Sequence, residues 1–243
     1  MTSGADSEKI AQLEKKIEGL SHQLGVLQDT HDIRSLQYKY GYYIDKCLYD
    51  ETVDLFSDTG EVIFMGGRFK GKAGARRLYC DRFRARFTGG KNGPIPGFLL
   101  DHPLLQAIID VAPDRKTGYA RLRVLMQAGM HESLHKKRAA EDTDVPPVPR
   151  QWFEGGLYEN TYVKEGGVWK IKILNYRPQW HAEYEKGWSH TKPNYVPFFD
   201  KTYPEDPIGP DELVPESMHL WPDMPVLPFH YPHPVTGRYW KEE

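Results

Sequence analysis

The chain has 243 residues, 39% of them hydrophobic and 27% charged, with 32 Lys and Arg against 34 Asp and Glu. A net charge of -2 leaves no basic surplus to neutralise phosphates, which argues against a nucleic-acid partner. No apolar run reaches the roughly 18–20 residues of a membrane span, and two cysteines, Cys47 and Cys80, exclude a disulfide framework or a cysteine-rich zinc site.

The polar start, Met1–Lys16, lacks a signal-peptide pattern. The expectation is therefore a cytoplasmic protein with one large domain and extensions. Ile10, Leu13, Ile17, Leu20, Leu24 and Leu27 recur at intervals of 3, 4, 3, 4 and 3. That is an a/d heptad seam, predicting an N-terminal helical unit over residues 1–30 that meets another subunit; Ile at a and Leu at d lean towards two strands. A second helix is expected over His31–Leu48, capped by Thr30 or Asp32. Its apolar face runs Ile33, Leu36, Tyr40, Tyr43/Ile44 and Cys47/Leu48. A short helix over Asp50–Ser57, a strand at Glu61–Met65 and a helix over Lys72–Phe87 follow.

The middle of the chain reads as sheet. Leu104–Val111 and Thr117–Gly129 are strands, the second alternating around Ala120, Leu122, Val124 and Met126. The polar stretch His131–Arg150 ends in Pro146-Pro147-x-Pro149 and reads as an insertion loop. Trp152–Lys164 and Val168–Tyr176 form a hairpin about Glu165-Gly166-Gly167, with Trp169, Ile171 and Ile173 facing one way. Helices followed by a meander predict an α+β fold with helices covering one face of an antiparallel sheet. From Pro178 onward the chain holds 12 of its 19 prolines and 12 of its 31 aromatic residues. Disordered tails are poor in aromatics, so residues 189–243 are expected to form an extended arm packed on the domain, residues 31–188, or on a neighbouring subunit.

Few side chains look chemical. Asp45 ends an otherwise apolar helix face, where a charge needs a reason, and His102 precedes a strand. A carboxylate and an imidazole in a dry pocket can tune each other for proton transfer. Arg121, Arg123 and Gln127 share one strand face, which is either pocket or solvent. Tyr158, Asn160, Asn175 and Tyr176, from the last two strands, either line a pocket or pack. His131-Glu132-Ser133-Leu134-His135 spells a zinc-protease motif, but no amphipathic helix is expected around it. His230-Tyr-Pro-His233 has no carboxylate or cysteine cluster beside it, so no metal is expected at either place. Phosphate-binding and serine-hydrolase motifs are missing.

Several of these pieces resemble one family in order and spacing. They are the helix Ile33–Asp45 with Tyr40-x4-Asp45, followed by Asp54-Leu55-Phe56; Gly71-Lys-Ala-Gly-Ala-Arg; His102 ahead of Gln106-x-Ile-Ile-x-Val; Tyr158-Glu-Asn-x-Tyr; and Val168-Trp-Lys-Ile. From about Asp32 to Trp188 the sequence is similar to SnoaL-like proteins of the nuclear transport factor 2-like superfamily. The resemblance implies a curved sheet wrapped by helices into a cone, with a pocket at its open end and no cofactor. It also implies Asp45 and His102 as the catalytic pair, with Tyr40 donating to a developing oxyanion. Tyr38, Tyr42 and Tyr43 crowd the same helix and compete for that place. Gln127 falls where the family's dehydratases carry a second polar catalytic residue, and it cannot act as acid or base. The overall layout further resembles the γ-formaldehyde lyases of lignin-derived diaryl compounds. The expected activity is thus a cofactor-independent lyase on a hydroxylated aromatic small molecule. The alternatives are a dehydratase or isomerase of a polyketide or steroid-like substrate, or a non-catalytic binding protein. A homo-oligomer is expected, a trimer by resemblance or a dimer by heptad composition.

Overall fold

The computed structural model describes residues 4–141, 150–190, 198–215 and 220–241. The two N-terminal helices expected from periodicity are one: α1 runs unbroken from Gly4 to Asp45. Neither expected cap acts as one. The Thr30 hydroxyl donates back to the Val26 carbonyl at 2.9 Å, and Asp32 accepts from Gln28 at 2.8 Å, both contacts within a continuing helix. The heptad residues of its first half are 49–68% exposed. From Asp29 onward the helix is packed, with Asp29, Ile33, Gln37, Tyr40 and Ile44 buried. It stops where Cys47 adopts φ 54° and the Leu48 N–H donates to the Tyr43 carbonyl at 2.9 Å.

Helix α2 (Tyr49–Asp54) is shorter than expected because β1 (Phe56–Phe64) starts early, with Phe56 and Ser57 already buried in the sheet. β2 (Gly67–Phe69) returns along β1. The expected Lys72–Phe87 helix is a continuous rod in three parts: α3 (Gly71–Arg76), a π-helical stretch (Arg77–Phe83) and α4 (Arg84–Thr88). Gly89 ends it at φ 62°. β3 (Phe98–Asp101) and β4 (Leu104–Val111) pair with successive parts of β5 (Thr117–Met130). α5 (Glu132–Glu141) occupies the first half of the expected insertion loop. The Pro146-Pro147-x-Pro149 end lies outside the described residues. β6 (Gln151–Glu165), β7 (Val168–Glu183), α6 (Gly187–His190) and β8 (Glu212–Leu213) complete the order.

The eight strands form one curved, unclosed sheet in the order β3-β5-β6-β7-β1-β2-β8, with β4 also on β5. Among the described strands all pairs are antiparallel except β1 with β7, a parallel pairing in the middle of the sheet that the expectation of an antiparallel sheet did not include. Register shifts at Phe56/Glu61, Leu105/Ile108, Gly155/Gly156 and Thr161/Tyr162 bend it. The last shift hands the buried positions of β7 from Trp169 and Ile171 to Leu174 and Tyr176 and leaves Ile173 half-buried, contrary to simple alternation. The helix α1 lies on β4 and β7. Gln37 ties it to β6, accepting from Asn160 Nδ2 at 3.0 Å and from the Tyr162 hydroxyl at 2.7 Å.

The described parts of the C-terminal segment pack on this chain. Phe199 sits against Phe69, a β-carbon on Gly67 would collide with it at 2.8 Å, and β8 extends the sheet beside β2. Arg77 Nη2 donates to Asp211 Oδ2 at 2.6 Å. Among the described residues no helix is long and apolar enough to cross a membrane.

Candidate active site

Asp45 is the last residue of α1, where the helix dipole is negative. A carboxylate there opposes the dipole by about 0.3–1 kcal/mol unless something answers it. His102 answers it. Pro103 lacks an N–H and breaks the ladder between β3 and β4, so His102 sits in a gap between two strands rather than within one. Gly41 lets this gap approach the helix, since a β-carbon there would meet Leu104 Cδ1 at 3.0 Å. The result is a hydrogen bond from His102 Nδ1 to Asp45 Oδ1 of 2.7 Å, with the side chains 15% and 13% exposed. An ionised carboxylate only accepts, so the proton lies on Nδ1 and the neutral ring presents Nε2 as a base.

His102 forms part of the wall of two hollows. An outer groove of ≈ 420 Å³ holds Asp45, Gly41, Tyr38 and Tyr42. The interior of the cone is a cavity of ≈ 310 Å³, and His102 lines it without Asp45. The carboxylate therefore stands behind the imidazole and does not face it across the cone. Tyr40, alone among the four neighbouring tyrosines of α1, reaches the cavity. Its hydroxyl lies 3.0 Å from that of Tyr79, and its ring meets Tyr158 edge-on at 6.0 Å. Burial, reinforced by Tyr79, pushes the Tyr40 phenol well above its ordinary range; burial, reinforced by Tyr40, does the same at Tyr158. Both stay protonated at neutral pH and can donate. Phe64, Phe83, Phe87, Trp152, Tyr176 and Phe198 supply aromatic walls.

The other expected site residues divide. Tyr158 and Tyr176 line the cavity. Asn160 and Asn175 do not: Asn160 is held by Gln37 and accepts from the Asn175 N–H at 2.9 Å, a structural clasp between strands. Arg121, Arg123 and Gln127 lie on the outer face of β5, because the core takes Leu122, Val124 and Met126. Arg121 is paired with Glu159, donates to the Leu227 and Pro228 carbonyls, and lies 4.3 Å from the Phe229 ring centroid, so the C-terminal segment covers it. Arg123 is exposed, and Gln127 belongs to a separate outer hollow with Leu99 and Phe153.

The cavity also takes residues that sequence reasoning did not select. The wide π-helical rod brings Tyr79, Arg82, Phe83, Arg86 and Phe87 to it. Glu154 is buried there and accepts from the Tyr176 hydroxyl at 2.5 Å. An acid set between Phe153 and Gly155-Gly156 was the available signal. His181 lies opposite Glu154 on β7; burial, and then the charge of Arg150, lower its pKa to about 4. Among the described residues no three His, Cys, Asp or Glu side chains converge on a metal position. The zinc-like motif lies at the start of α5, not in a loop. The Ser133 N–H donates to His131 Nδ1 at 3.2 Å, so His131 acts as a helix cap, and His135 is buried in the helix.

An imidazole backed by a carboxylate, opening into a cone of rings and phenols, defines a cone-fold protein with a small-molecule pocket. The sequence matches the SnoaL-like domain over residues 25–175, and the chain belongs to that family. Solved structures are also similar, among them the following. A type 2 hexachlorocyclohexane dehydrochlorinase, LinA, has a TM-score of 0.50 at 18% identity, covering 71% of this chain and 98% of its own. The LinA-type3 enzyme from Novosphingobium barchaimii also has a TM-score of 0.50 at 18% identity, covering 66% and 93%. A scytalone dehydratase-like protein from Novosphingobium aromaticivorans has a TM-score of 0.47 at 19% identity, covering 67% and 91%. At these identities the likeness is one of fold. No curated protein matches the sequence.

Proposed function

We propose that this protein is a cofactor-independent lyase that acts by acid–base catalysis on a hydroxylated aromatic small molecule held in the cone. The observation that carries the reading is the 2.7 Å Asp45–His102 bond, which engages Nδ1 and leaves Nε2 outside the pair, on a histidine that lines the cavity. His102 takes a proton from the substrate, and Asp45 stabilises the imidazolium that forms. Tyr40 donates to the oxygen that gains charge, with Tyr79 and Tyr158 supporting it. Elimination reactions are represented among the similar folds by the dehydrochlorinases.

For a diaryl substrate with a primary alcohol, His102 removes the hydroxyl proton and the O–H electrons become the carbonyl π bond of formaldehyde. The adjacent carbon–carbon bond breaks and its electrons form a carbon–carbon double bond. The oxygen on the next carbon leaves, protonated through Tyr40. With a C–H proton removed in place of the hydroxyl proton, the same groups carry out dehydration. The test follows a panel of hydroxylated diaryl compounds by absorbance of the new conjugated alkene, with formaldehyde trapped in parallel. Asp45→Asn and His102→Gln are expected to fold and to lose about 10²–10⁴ in rate. Near-wild-type turnover by either variant removes that residue from the mechanism. Conjugation without formaldehyde selects dehydration, and binding without turnover selects a binding protein.

The exposed heptad face of α1 supports self-association as part of the same proposal. A second copy of this helix is the occupant that matches a 3-4-3-4-3 apolar seam with Lys and Glu flanks.

A further inference from the structure

The rim of the cone cavity carries three guanidinium groups whose charges are answered unequally. Arg82 is paired with Asp206 at 3.2 Å and lies 4.8 Å from the Phe199 ring centroid. Arg150 lies 4.8 Å from the Trp152 ring centroid, with Nη2 3.3 Å from His181 Nε2, and is paired with no carboxylate among the described residues. Arg86 likewise has no hydrogen bond or ion pair to any described residue. Among the described residues the lining holds one carboxylate, Glu154, and it accepts the Tyr176 hydroxyl. Desolvation and the charges of Arg82 and Arg150 lower the pKa of Arg86, as expected where like charges crowd a partly dry space. Such a rim favours an anion. Phe83, Phe87 and Trp152 line the same cavity, so the anion it suits is attached to a flat ring.

We infer that the ligand of this cavity is an aromatic carboxylic acid, its ring against Phe83, Phe87 and Trp152 and its carboxylate on Arg86 and Arg150. Guanidinium forks match a planar carboxylate through paired hydrogen bonds. The inference rests on the proposed use of the cone as a substrate pocket and adds a substrate class to it. It makes Arg86 and Arg150 binding residues and gives them no part in proton transfer.

The test is calorimetric binding of 4-hydroxycinnamate and of its uncharged primary amide to the full chain. Wild type is expected to prefer the acid by at least about tenfold, the scale of one charge-assisted contact. Arg86→Gln and Arg150→Gln should each erode the preference, and the double variant should abolish it. Both side chains are at the surface, so thermal unfolding should not change. Lysine at both positions should restore part of the preference. Equal affinity for acid and amide, a preference that survives in the double variant, or no binding of either probe overturns the inference. The two readings fail separately. An acid preference with normal turnover in Asp45→Asn and His102→Gln sinks the catalytic pair alone; dyad-dependent turnover with no acid preference sinks the arginine site alone.

Discussion

Asp29 fixes the helix that delivers Asp45, and its replacement by Asn tests that role without any substrate. Its side chain has no exposed surface and accepts from Arg115 Nε at 2.6 Å, Lys164 Nζ at 2.6 Å and Trp169 Nε1 at 3.0 Å. Burial alone would raise its pKa; the two cations and the indole outweigh burial and hold it at about 2, against 3.8 ordinarily. The difference corresponds to about 2.5 kcal/mol. Arg115 and Lys164 keep 32% and 24% of their side-chain surface in solvent, and that screening brings the expected value to about 1–2 kcal/mol. The unfolded chain binds the proton first as pH falls, so the contribution is complete above pH 4 and is lost as the pH falls through 2. Urea denaturation should show Asp29→Asn less stable by about 1–2 kcal/mol at pH 7, with the gap reduced by about half at pH 3. Equal midpoints at pH 7, or a gap that ignores pH, would refute the clamp.

Gly41→Val should push the β3–β4 gap off α1, because even a β-carbon there sits 3.0 Å from Leu104. Turnover should fall as in the dyad variants, while unfolding moves by only about 1–3 kcal/mol; unchanged turnover would show that the close approach is dispensable. His181 is held neutral, its pKa lowered to about 4 by burial and Arg150. Its folded form resists protonation, so wild-type stability should decline by about 1–3 kcal/mol as pH drops from 6.5 towards 4. His181→Gln should flatten that part of a pH series of melting temperatures, and an identical slope would exclude His181 as its source. Leu13→Glu with Leu20→Glu should convert an oligomer to a monomer in sedimentation, since both lie in the exposed seam; a wild-type monomer would refute self-association through this helix.

The parts of the fold legible in the sequence were those with a local cause. Alternation placed β5 because its inner residues meet the core directly, and the heptad spacing placed the first half of α1 because the apolar period runs on through Gly19 and Gly25 with no Pro to break it. The break expected near Thr30 was misread: both polar residues taken for caps bond within the helix, and Asp29 finds its partners far along the chain. Alternation failed at Ile173 for a related reason. A register shift against β6 is a property of two strands, invisible in either one alone. The short β1 prediction missed Phe56, whose pairing with Ile171 joins distant strands in parallel.

The site was half legible, and the division follows from how it is built. Asp45 and His102 announced themselves because polar groups in apolar surroundings are costly without a reason. What spacing could not supply was their order. The carboxylate stands on the outer side and the imidazole on the cavity wall, an arrangement set by the Pro103 break and the space left at Gly41. Arginines were sought on β5, where core packing turns every second residue outward; those at the rim come from the rod that contains the π-helical stretch and from the residue just before β6. Phe198 enters from the C-terminal segment and packs on Phe64. The cavity thus combines the imidazole of a hydrogen-bonded Asp–His pair with walls drawn from distant segments. Substitutions in the pair should change turnover, and substitutions in the arginine rim should change which molecules bind.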